Sequence, residues 1–307
     1  MNKFILLILL SLVSPLIAAL EVSSGSVTTI KQFPSNYISA RDVHVWLPEG
    51  YQEDKRYAVL YMHDGQMLFD AKTTWNKQEW GVDETAQQLM HEDKVIPFIV
   101  VGINNGGKTR HSDYFPQKPF ELLDEKHQKR FYQMERSANT LLFSEKVNSD
   151  NYLKFIVSEL KPYIDANYPV YTDRSNTYVM GSSMGGLISL YASIEYPEVF
   201  GGAACLSTHW IGVMPHRNNP VPATFVQYLE MNLPKLADSK IYFDYGDQTL
   251  DAFYPPHQKK VDGVMKEAGF NHSNWQTLFF KGQNHSEDAW RSRLDKPLLF
   301  LFGSTKE

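Results

Sequence analysis

Residues 176–192, NTYVMGSSMGGLISLYA, decide the fold and carry the strongest functional pattern in the chain. They begin as a short apolar run typical of a buried strand, break into small residues, and continue as an apolar run of helical length. Within them, Gly181, Ser183 and Gly185 fit G-x-S-x-G. Between a strand and a helix, this pattern indicates a sharp turn that lifts a serine hydroxyl above the sheet. We therefore expect Ser183 to be a nucleophile, the alternative being a plain tight turn.

The spacing of the small residues has a physical reason. A nucleophile in such a turn takes unusual backbone angles, and glycine two positions before and after it lets strand and helix approach without a clash. The helix that begins behind the serine points free amide hydrogens at the reacting oxygen. Ser182 stands at the variable position of the pattern, and we expect its side chain to point elsewhere.

Short apolar runs alternate with helical runs along most of the chain. Most runs interpreted as strands are continuous and apolar, which is typical of strands covered on both faces and of a largely parallel sheet. The predicted strands are 41–48, 57–64, 98–104, 177–183, 201–207, 241–246 and 275–281; the predicted helices are 82–92, 152–167, 185–195 and 257–268. This order predicts a mostly parallel, doubly wound α/β sheet with helices on both faces, in a single domain over 20–307.

Two long connections, 105–148 and 209–239, interrupt this alternation. Connections of this length in a compact domain are usually functional or disordered. Both follow a predicted strand at its carboxyl end, where open α/β sheets bind ligands. We interpret them as insertions that form walls or a lid over an active site.

A serine nucleophile needs a base, normally histidine, and an acid that orients the histidine. In chains with this kind of serine turn, the acid and then the histidine follow the serine in sequence. His285 follows the last predicted strand, in the loop KGQNHSEDAW, where the base is expected. The other downstream histidines are less suitable: His209 and His216 lie in an insertion, His257 lies on a predicted helix, and His272 precedes the last strand.

Three aspartates are candidates for the acid, in the run DYGDQTLDAFY. Asp244 lies within a predicted strand, which favours a structural role. Asp247 comes directly after the turn glycine, and Asp251 comes just before the next helix, where it would also suit an N-cap. The pattern by itself leaves Asp247 and Asp251 open.

An oxyanion hole needs two backbone amides. Met184, directly after the nucleophile, should supply one. The other should come from the loop HDGQMLF after the predicted strand 57–64, from Gly65 or Gln66. An ordinary turn is the alternative interpretation of this loop.

Composition narrows the class of protein. The net charge of −5 does not indicate a nucleic-acid binder. Cys205 is the only cysteine, which excludes an internal disulfide and a cysteine-based zinc site, and its apolar surroundings favour a buried position. A serine nucleophile with its base and acid needs neither a metal nor a cofactor, so we expect neither.

The first residues, MNKFILLILLSLVSPLIAAL, are typical of a secretory signal. Lys3 precedes an apolar run, and Ala18 and Ala19 form a small-residue cleavage site, so we expect residues 1–19 to be removed. An uncleaved membrane anchor is the alternative, but Pro15 interrupts the short apolar run. We expect a periplasmic or secreted bacterial protein with no stable membrane insertion after cleavage.

With these motifs placed, the chain resembles the "putative esterase" family of α/β-hydrolases, which includes feruloyl, acetyl-xylan and enterochelin (siderophore) esterases and S-formylglutathione hydrolase. The resemblance rests on RDVHVWLPEGY (41–51), YAVLYMHDGQMLFD (57–70), GSSMGGLISLYASIEYPEVFGG (181–202) and GQNHSEDAW (282–290), and covers nearly the whole mature chain. It implies the α/β-hydrolase fold. It also favours Asp251 over Asp247, since YGDQTLDAFY resembles relatives whose acid stands before the helix.

The resemblance implies a serine esterase that works through a Ser183–His285–Asp251 triad and an acyl-enzyme, with the amides of Met184 and Gln66 binding the oxyanion. The substrate would be a small-molecule ester, whether aromatic, carbohydrate-linked or from a siderophore. Two alternatives use the same fold: an acyltransferase with the same triad, and a non-catalytic binding protein.

Overall fold

The computed structural model describes residues 20–304, so the predicted signal segment 1–19 lies outside the described residues. The strands are β1 Ser26–Phe33, β2 Arg41–Leu47, β3 Ala58–His63, β4 Phe98–Ile103, β5 Glu135–Ser137, β6 Thr140–Leu141, β7 Thr177–Ser182, β8 Gly202–Leu206, β9 Lys240–Tyr245 and β10 Trp275–Phe279. The helices are α1 Val82–His91, α2 Arg110–Tyr114, α3 Gln117–Glu121, α4 Glu125–Tyr132, α5 Ser149–Phe155, α6 Lys161–Asn167, α7 Met184–Glu195, α8 Val221–Asn232, α9 Pro255–Glu267, α10 Glu287–Arg291 and α11 Asp295–Phe302.

Within residues 20–304 the main sheet has eight strands, in the order β1-β2-β4-β3-β7-β8-β9-β10. The strands from β4 to β10 in that order pair in parallel, while β1 and β2 form an antiparallel edge. The mostly parallel α/β-hydrolase sheet predicted from the sequence is therefore confirmed. The carboxyl ends of β3, β7, β8, β9 and β10 lie along one edge, and the candidate site is built there.

Both faces of the sheet are covered. In β3, Val59 and Tyr61 pack into one apolar cluster while Leu60 and Met62 pack into the other. Alternate side chains of a strand point to opposite faces, so a strand buried on both sides needs apolar residues at every position. This is why the central strands read as continuous apolar runs.

Several elements differ from the sequence prediction. Strand β1 was not predicted, because its alternating polar residues suit an exposed antiparallel edge. The predicted helix 152–167 begins earlier, and α5 and α6 are joined by a π-helical turn at Ile156–Leu160. Helices α10 and α11, which follow the candidate base, were also not predicted.

The two insertions contain secondary structure and contact each other. The first holds α2, α3, α4 and the hairpin of β5 and β6, and the second holds α8. Phe115 and Phe225 place their rings 5.5 Å apart, and Nε2 of His111 lies 3.0 Å from the carbonyl oxygen of Gly212. The insertions are therefore packed structure attached to the carboxyl ends of β4 and β8.

Several aromatic residues of the two insertions are core residues and are not available to stack on a substrate. The buried ones are Tyr114, Phe115, Trp210 and Tyr228. Trp75, by contrast, is 84% exposed. Cys205 is buried, as predicted. No helix within residues 20–304 has the length and apolar character needed to cross a membrane.

Candidate active site

Ser183 occupies the sharp turn that the sequence predicts between β7 and α7. Its backbone angles are φ 58° and ψ −122°, a conformation that residues with a side chain seldom adopt. A Cβ on Gly181 would lie 2.8 Å from the backbone of Gly185, so the strand and helix touch at the two glycines. Glycine is therefore required at position 181 by backbone contact, whereas a Cβ at position 185 would meet side-chain atoms at 3.4 Å or more.

The amide of Met184 lies at the start of α7, directly behind Ser183. The first backbone hydrogen bond at the start of α7 runs from the amide of Gly186 to the carbonyl of Ser183, at 3.0 Å. The amide of Met184 precedes it, and amides at the start of a helix have no intrahelical partner. This group is therefore placed to donate to an oxygen bound in front of Ser183.

Gln66 lies in a short 3-10 turn, Gly65–Met67, that follows β3. The turn closes with the amide of Met67 on the carbonyl of Asp64, at 2.9 Å, so the amides of Gly65 and Gln66 precede the first turn bond. A Cβ on Gly185 would lie 3.5 Å from Oδ2 of Asp64, which places this loop against the serine turn. The two loops predicted to form an oxyanion hole are adjacent.

A partly buried ion pair holds this loop. Asp64 has left-handed backbone angles, and its carboxylate accepts two hydrogen bonds from Arg110, both 2.7 Å, and one from Asn105, at 2.6 Å. Burial by itself would raise the pKa of Asp64, but the charge and hydrogen bonds of Arg110 hold it below its ordinary value. Arg110 therefore has an internal partner, and this pair anchors the residue before Gly65.

Replacing Arg110 by methionine should destabilise the protein, because it leaves the Asp64 carboxylate without its cation. Losing one partner of a buried pair costs about 3–5 kcal/mol, and we expect about 2–3 kcal/mol here because the pair is partly exposed. Urea unfolding measures the change. Lys129→Met, which removes an exposed ion pair with Glu125, is the control and should change little. A wild-type midpoint for Arg110→Met would contradict this prediction.

His285 and Asp251 are in direct contact. Nδ1 of His285 lies 2.6 Å from Oδ1 of Asp251, and the Asp251 side chain is fully buried. The imidazole is flanked edge-to-face by Trp290, with ring centroids 5.0 Å apart. A histidine held at Nδ1 by a carboxylate keeps its other nitrogen free to take and return a proton.

The other oxygen of Asp251 is held by two donors. The hydroxyl of Ser207 donates to Oδ2 at 2.6 Å, and the amide of Gly246 donates at 2.7 Å. Burial would raise the pKa of Asp251, but the hydrogen bonds and the interaction with His285 hold it below its ordinary value. Asp251 is therefore an ionised carboxylate with a fixed orientation.

Neither of the other two aspartates reaches His285. Oδ1 of Asp247 accepts from the amide of Gly282 at 2.7 Å and so ties two loops together. Asp244 is buried and pairs with Arg293 at 2.9 Å, in keeping with the structural role expected from its place in a strand. Of the three candidates, Asp251 is the one in contact with the histidine.

Ser207, Trp290 and Arg293 form a support that the sequence analysis missed. Trp290 Nε1 and an Arg293 nitrogen each donate to Ser207 Oγ, both at 2.9 Å, so the Ser207 proton is directed at Asp251. A buried carboxylate needs such donors to remain charged. The sequence offered one indication of this role: Ser207 is a polar residue at the end of an apolar strand. Many ordinary turns begin in the same way, so the indication is weak.

Within residues 20–304 no hydrogen bond joins Ser183 directly to His285. Tyr254 lies beside the histidine: its ring centroid is 5.8 Å from that of His285, and its hydroxyl lies 2.7 Å from Nδ1 of His209, whose amide donates to the carbonyl of Ser183. Catalytic hydrogen bonds are often long or misaligned before substrate binds. Tyr254 and its partner His209 were not singled out as site residues from the sequence.

Comparison with known proteins agrees with this fold. A bifunctional endo-1,4-beta-xylanase/feruloyl esterase of Xylanibacter ruminicola is 25% identical over 296 residues, which cover 92% of this chain and 32% of that protein. A solved ferulic acid esterase superimposes with a TM-score of 0.62 at 20% identity, over 90% of this chain and 98% of the other. The enterobactin esterase FES of Shigella flexneri gives 0.59 at 18% identity, over 92% of this chain and 60% of the other.

The family comparison covers most of the described chain. A family model described as "Putative esterase" matches residues 38–301, which include the serine turn, the loop at Gln66 and the Asp251–His285 pair. The chain belongs to this family of α/β-hydrolase fold and is a carboxylic ester hydrolase.

Proposed function

We propose that this chain is a serine esterase in which Ser183, His285 and Asp251 form the catalytic triad. The observation that carries the proposal is the 2.6 Å contact between His285 and a buried Asp251 at the sheet edge where Ser183 stands in a strained turn. Such turns are costly, and they persist where the residue held in them has a functional role.

The proposed reaction proceeds in two steps. His285 removes the Ser183 proton as Oγ attacks the ester carbonyl, and it returns that proton to the departing alcohol. Water then attacks the acyl-enzyme with the same base and releases the acid. The amides of Met184 and Gln66 bind the negative oxygen in both steps, and Asp251 stabilises the charge that His285 gains.

Hydrolysis of p-nitrophenyl acetate tests whether the chain is an enzyme. We expect turnover that disappears in Ser183→Ala, whereas a non-catalytic binding protein would show none. A panel of short acyl, feruloyl and siderophore esters then tests the substrate class. The family relatives support an aromatic, carbohydrate-linked or siderophore ester, and the exposed indole of Trp75 would suit stacking on such a group. Equal rates across the panel would count against this substrate class.

Export is part of the proposal and rests on the sequence of residues 1–19. We expect the mature protein to start near Leu20 and to be found in the periplasm or the medium. Intact mass of protein from the periplasmic fraction measures the start. Recovery of the full-length chain in the membrane pellet would show that the segment is an anchor.

A further inference from the structure

The carboxamide of Gln66 is held at one end and free at the other. Its Oε1 accepts a hydrogen bond from the backbone amide of Asn105, at 3.2 Å. A backbone N–H can only donate, so this contact fixes the carboxamide oxygen on that side and turns the NH₂ group away from Asn105. The NH₂ group has no hydrogen-bond partner among the residues that the structure describes. Gln66 therefore presents an oriented, unpaired donor.

Asn105, which holds the carboxamide, is itself fixed by its neighbours. Its side-chain nitrogen donates to Oδ1 of Asp64 at 2.6 Å, and its side-chain oxygen accepts from the amide of Gly107 at 2.8 Å. Both oxygens of the Asp64 carboxylate also accept from Arg110, so this nearby anion is already supplied with donors. The orientation of the Gln66 side chain is therefore set by the loop after β4, through contacts within the chain itself.

Gln66 is also the part of its turn that reaches the surface. It is partly exposed, whereas Gly65 and Met67 on either side of it are buried. Ligand sites commonly contain a few precisely placed polar groups that fix the orientation of the ligand and give specificity. An accessible donor of fixed orientation, on the residue whose own amide is assigned to the oxyanion, is a group of this kind.

The position of this donor in the sheet assigns it to the acyl side of the site. Strands β3 and β4 lie on one side of β7, while β9 and β10, which lead to Asp251 and His285, lie on the other. His285 returns its proton to the departing alcohol, so the alcohol must lie on its side of Ser183. The Gln66 side chain reaches from the loop after β3 toward the loop after β4, away from His285. The part of the ester nearest the carboxamide is therefore the acyl group.

We propose that the Gln66 side chain determines acyl specificity by donating a hydrogen bond to an ether, hydroxyl or carbonyl oxygen of the acyl group, in preference to a plain alkyl chain. The proposal rests on the serine mechanism given above and adds a substrate class to it. Because the carboxamide and the assigned oxyanion amide belong to one residue, the acceptor oxygen must lie within a few atoms of the scissile carbonyl. A plain chain would cover the NH₂ group with hydrocarbon and leave its hydrogen bond unmade, which is unfavourable.

Matched p-nitrophenyl esters test this preference, because one oxygen replaces one methylene within each pair. The pairs are methoxyacetate with butyrate, and β-methoxypropionate with valerate. The ratio of kcat/KM for the ether ester to that for the alkyl ester is compared with the wild-type ratio, so that a general loss of rate cancels. Gln66→Met keeps the length of the side chain and removes the donor. Its ratio for at least one pair should fall by roughly 3- to 10-fold, the effect of one neutral hydrogen bond.

Two further variants complete the experiment. Gln66→Glu keeps an oxygen for the Asn105 amide but replaces the NH₂ group by an acceptor, so the same ratio should fall at least as far, and it carries the test if Gln66→Met does not fold. Gln88→Met is the matched control, because the Gln88 carboxamide donates to Glu92 on the exposed side of α1. Its ratios should remain those of the wild type.

The two proposals fail in different ways. A ratio that falls in every Gln66 variant that folds, and not in Gln88→Met, supports the inference. Wild-type ratios for both pairs in a folded Gln66 variant, or an equal fall in Gln88→Met, would overturn it while the serine mechanism stands. Hydrolysis that survives Ser183→Ala would remove the serine mechanism and the inference with it.

Discussion

Replacing Ser183 by alanine is expected to lower kcat for ester hydrolysis by roughly 10⁴- to 10⁶-fold, the loss seen when a triad nucleophile is removed. The reason is local: the hydroxyl belongs to the residue that precedes α7, in a turn where Gly181 lies against the backbone of Gly185. Folding should be little affected, since alanine keeps the Cβ that the turn already accommodates. Steady-state kinetics and a melting curve separate the two effects.

Ser182 offers a matched control one residue away. Ser182 is the last residue of β7, where it pairs with β8, and it stands before the turn that presents Ser183. Ser182→Ala should keep kcat within a few-fold of wild type. Equal losses in the two variants would mean that the turn matters for stability and that Ser183 is not the nucleophile.

Replacing Asp251 by asparagine is expected to lower kcat by roughly 10⁴-fold, as in the serine-protease case. Oδ2 faces two donors, the Ser207 hydroxyl and the Gly246 amide. An asparagine must therefore place its carbonyl oxygen on that side and turn its NH₂ group toward His285. The imidazole then accepts at Nδ1 and carries its proton on Nε2, where it cannot take the proton of Ser183.

Asp247→Asn is the comparison that decides between the two aspartates. Asp247 accepts from the Gly282 amide, and its loss should cost about 1 kcal/mol of stability and little rate. We would measure kcat and the melting temperature for both variants. If Asp247→Asn loses activity while Asp251→Asn keeps it, the acid is Asp247 and our assignment of Asp251 is wrong.

Periodicity was sufficient to predict the parallel sheet but not its edges. The buried strands around Tyr61 and Val179 are covered on both faces, so every residue is apolar and the pattern is unambiguous. Strand β1 alternates polar and apolar residues because one side faces water, and such a run is hard to tell from a loop. Helices α10 and α11 are short, so each offers too few residues for a helical apolar period to be recognised in the sequence.

The candidate site also has one part that the local sequence predicts and another part that depends on the fold. The serine turn is local in sequence, since Gly181, Ser183 and Gly185 lie within five residues and the backbones of the two glycines meet at the turn. The residues alone left Asp247 and Asp251 open, because both lie in one loop. The family resemblance favoured Asp251, and the fold brings Asp251 into contact with His285. Ser207, Tyr254 and His209 act through contacts between distant segments, which no local pattern encodes.

Mapping the adduct of a fluorophosphonate probe tests the account most directly, because the probe reacts with an activated serine and leaves a covalent mark. Peptide mass spectrometry of the labelled wild-type protein should place the adduct on Ser183, and Ser183→Ala should remain unlabelled. An adduct on another residue, or labelling that persists in Ser183→Ala, would contradict the central claim that Ser183 is the nucleophile of this esterase.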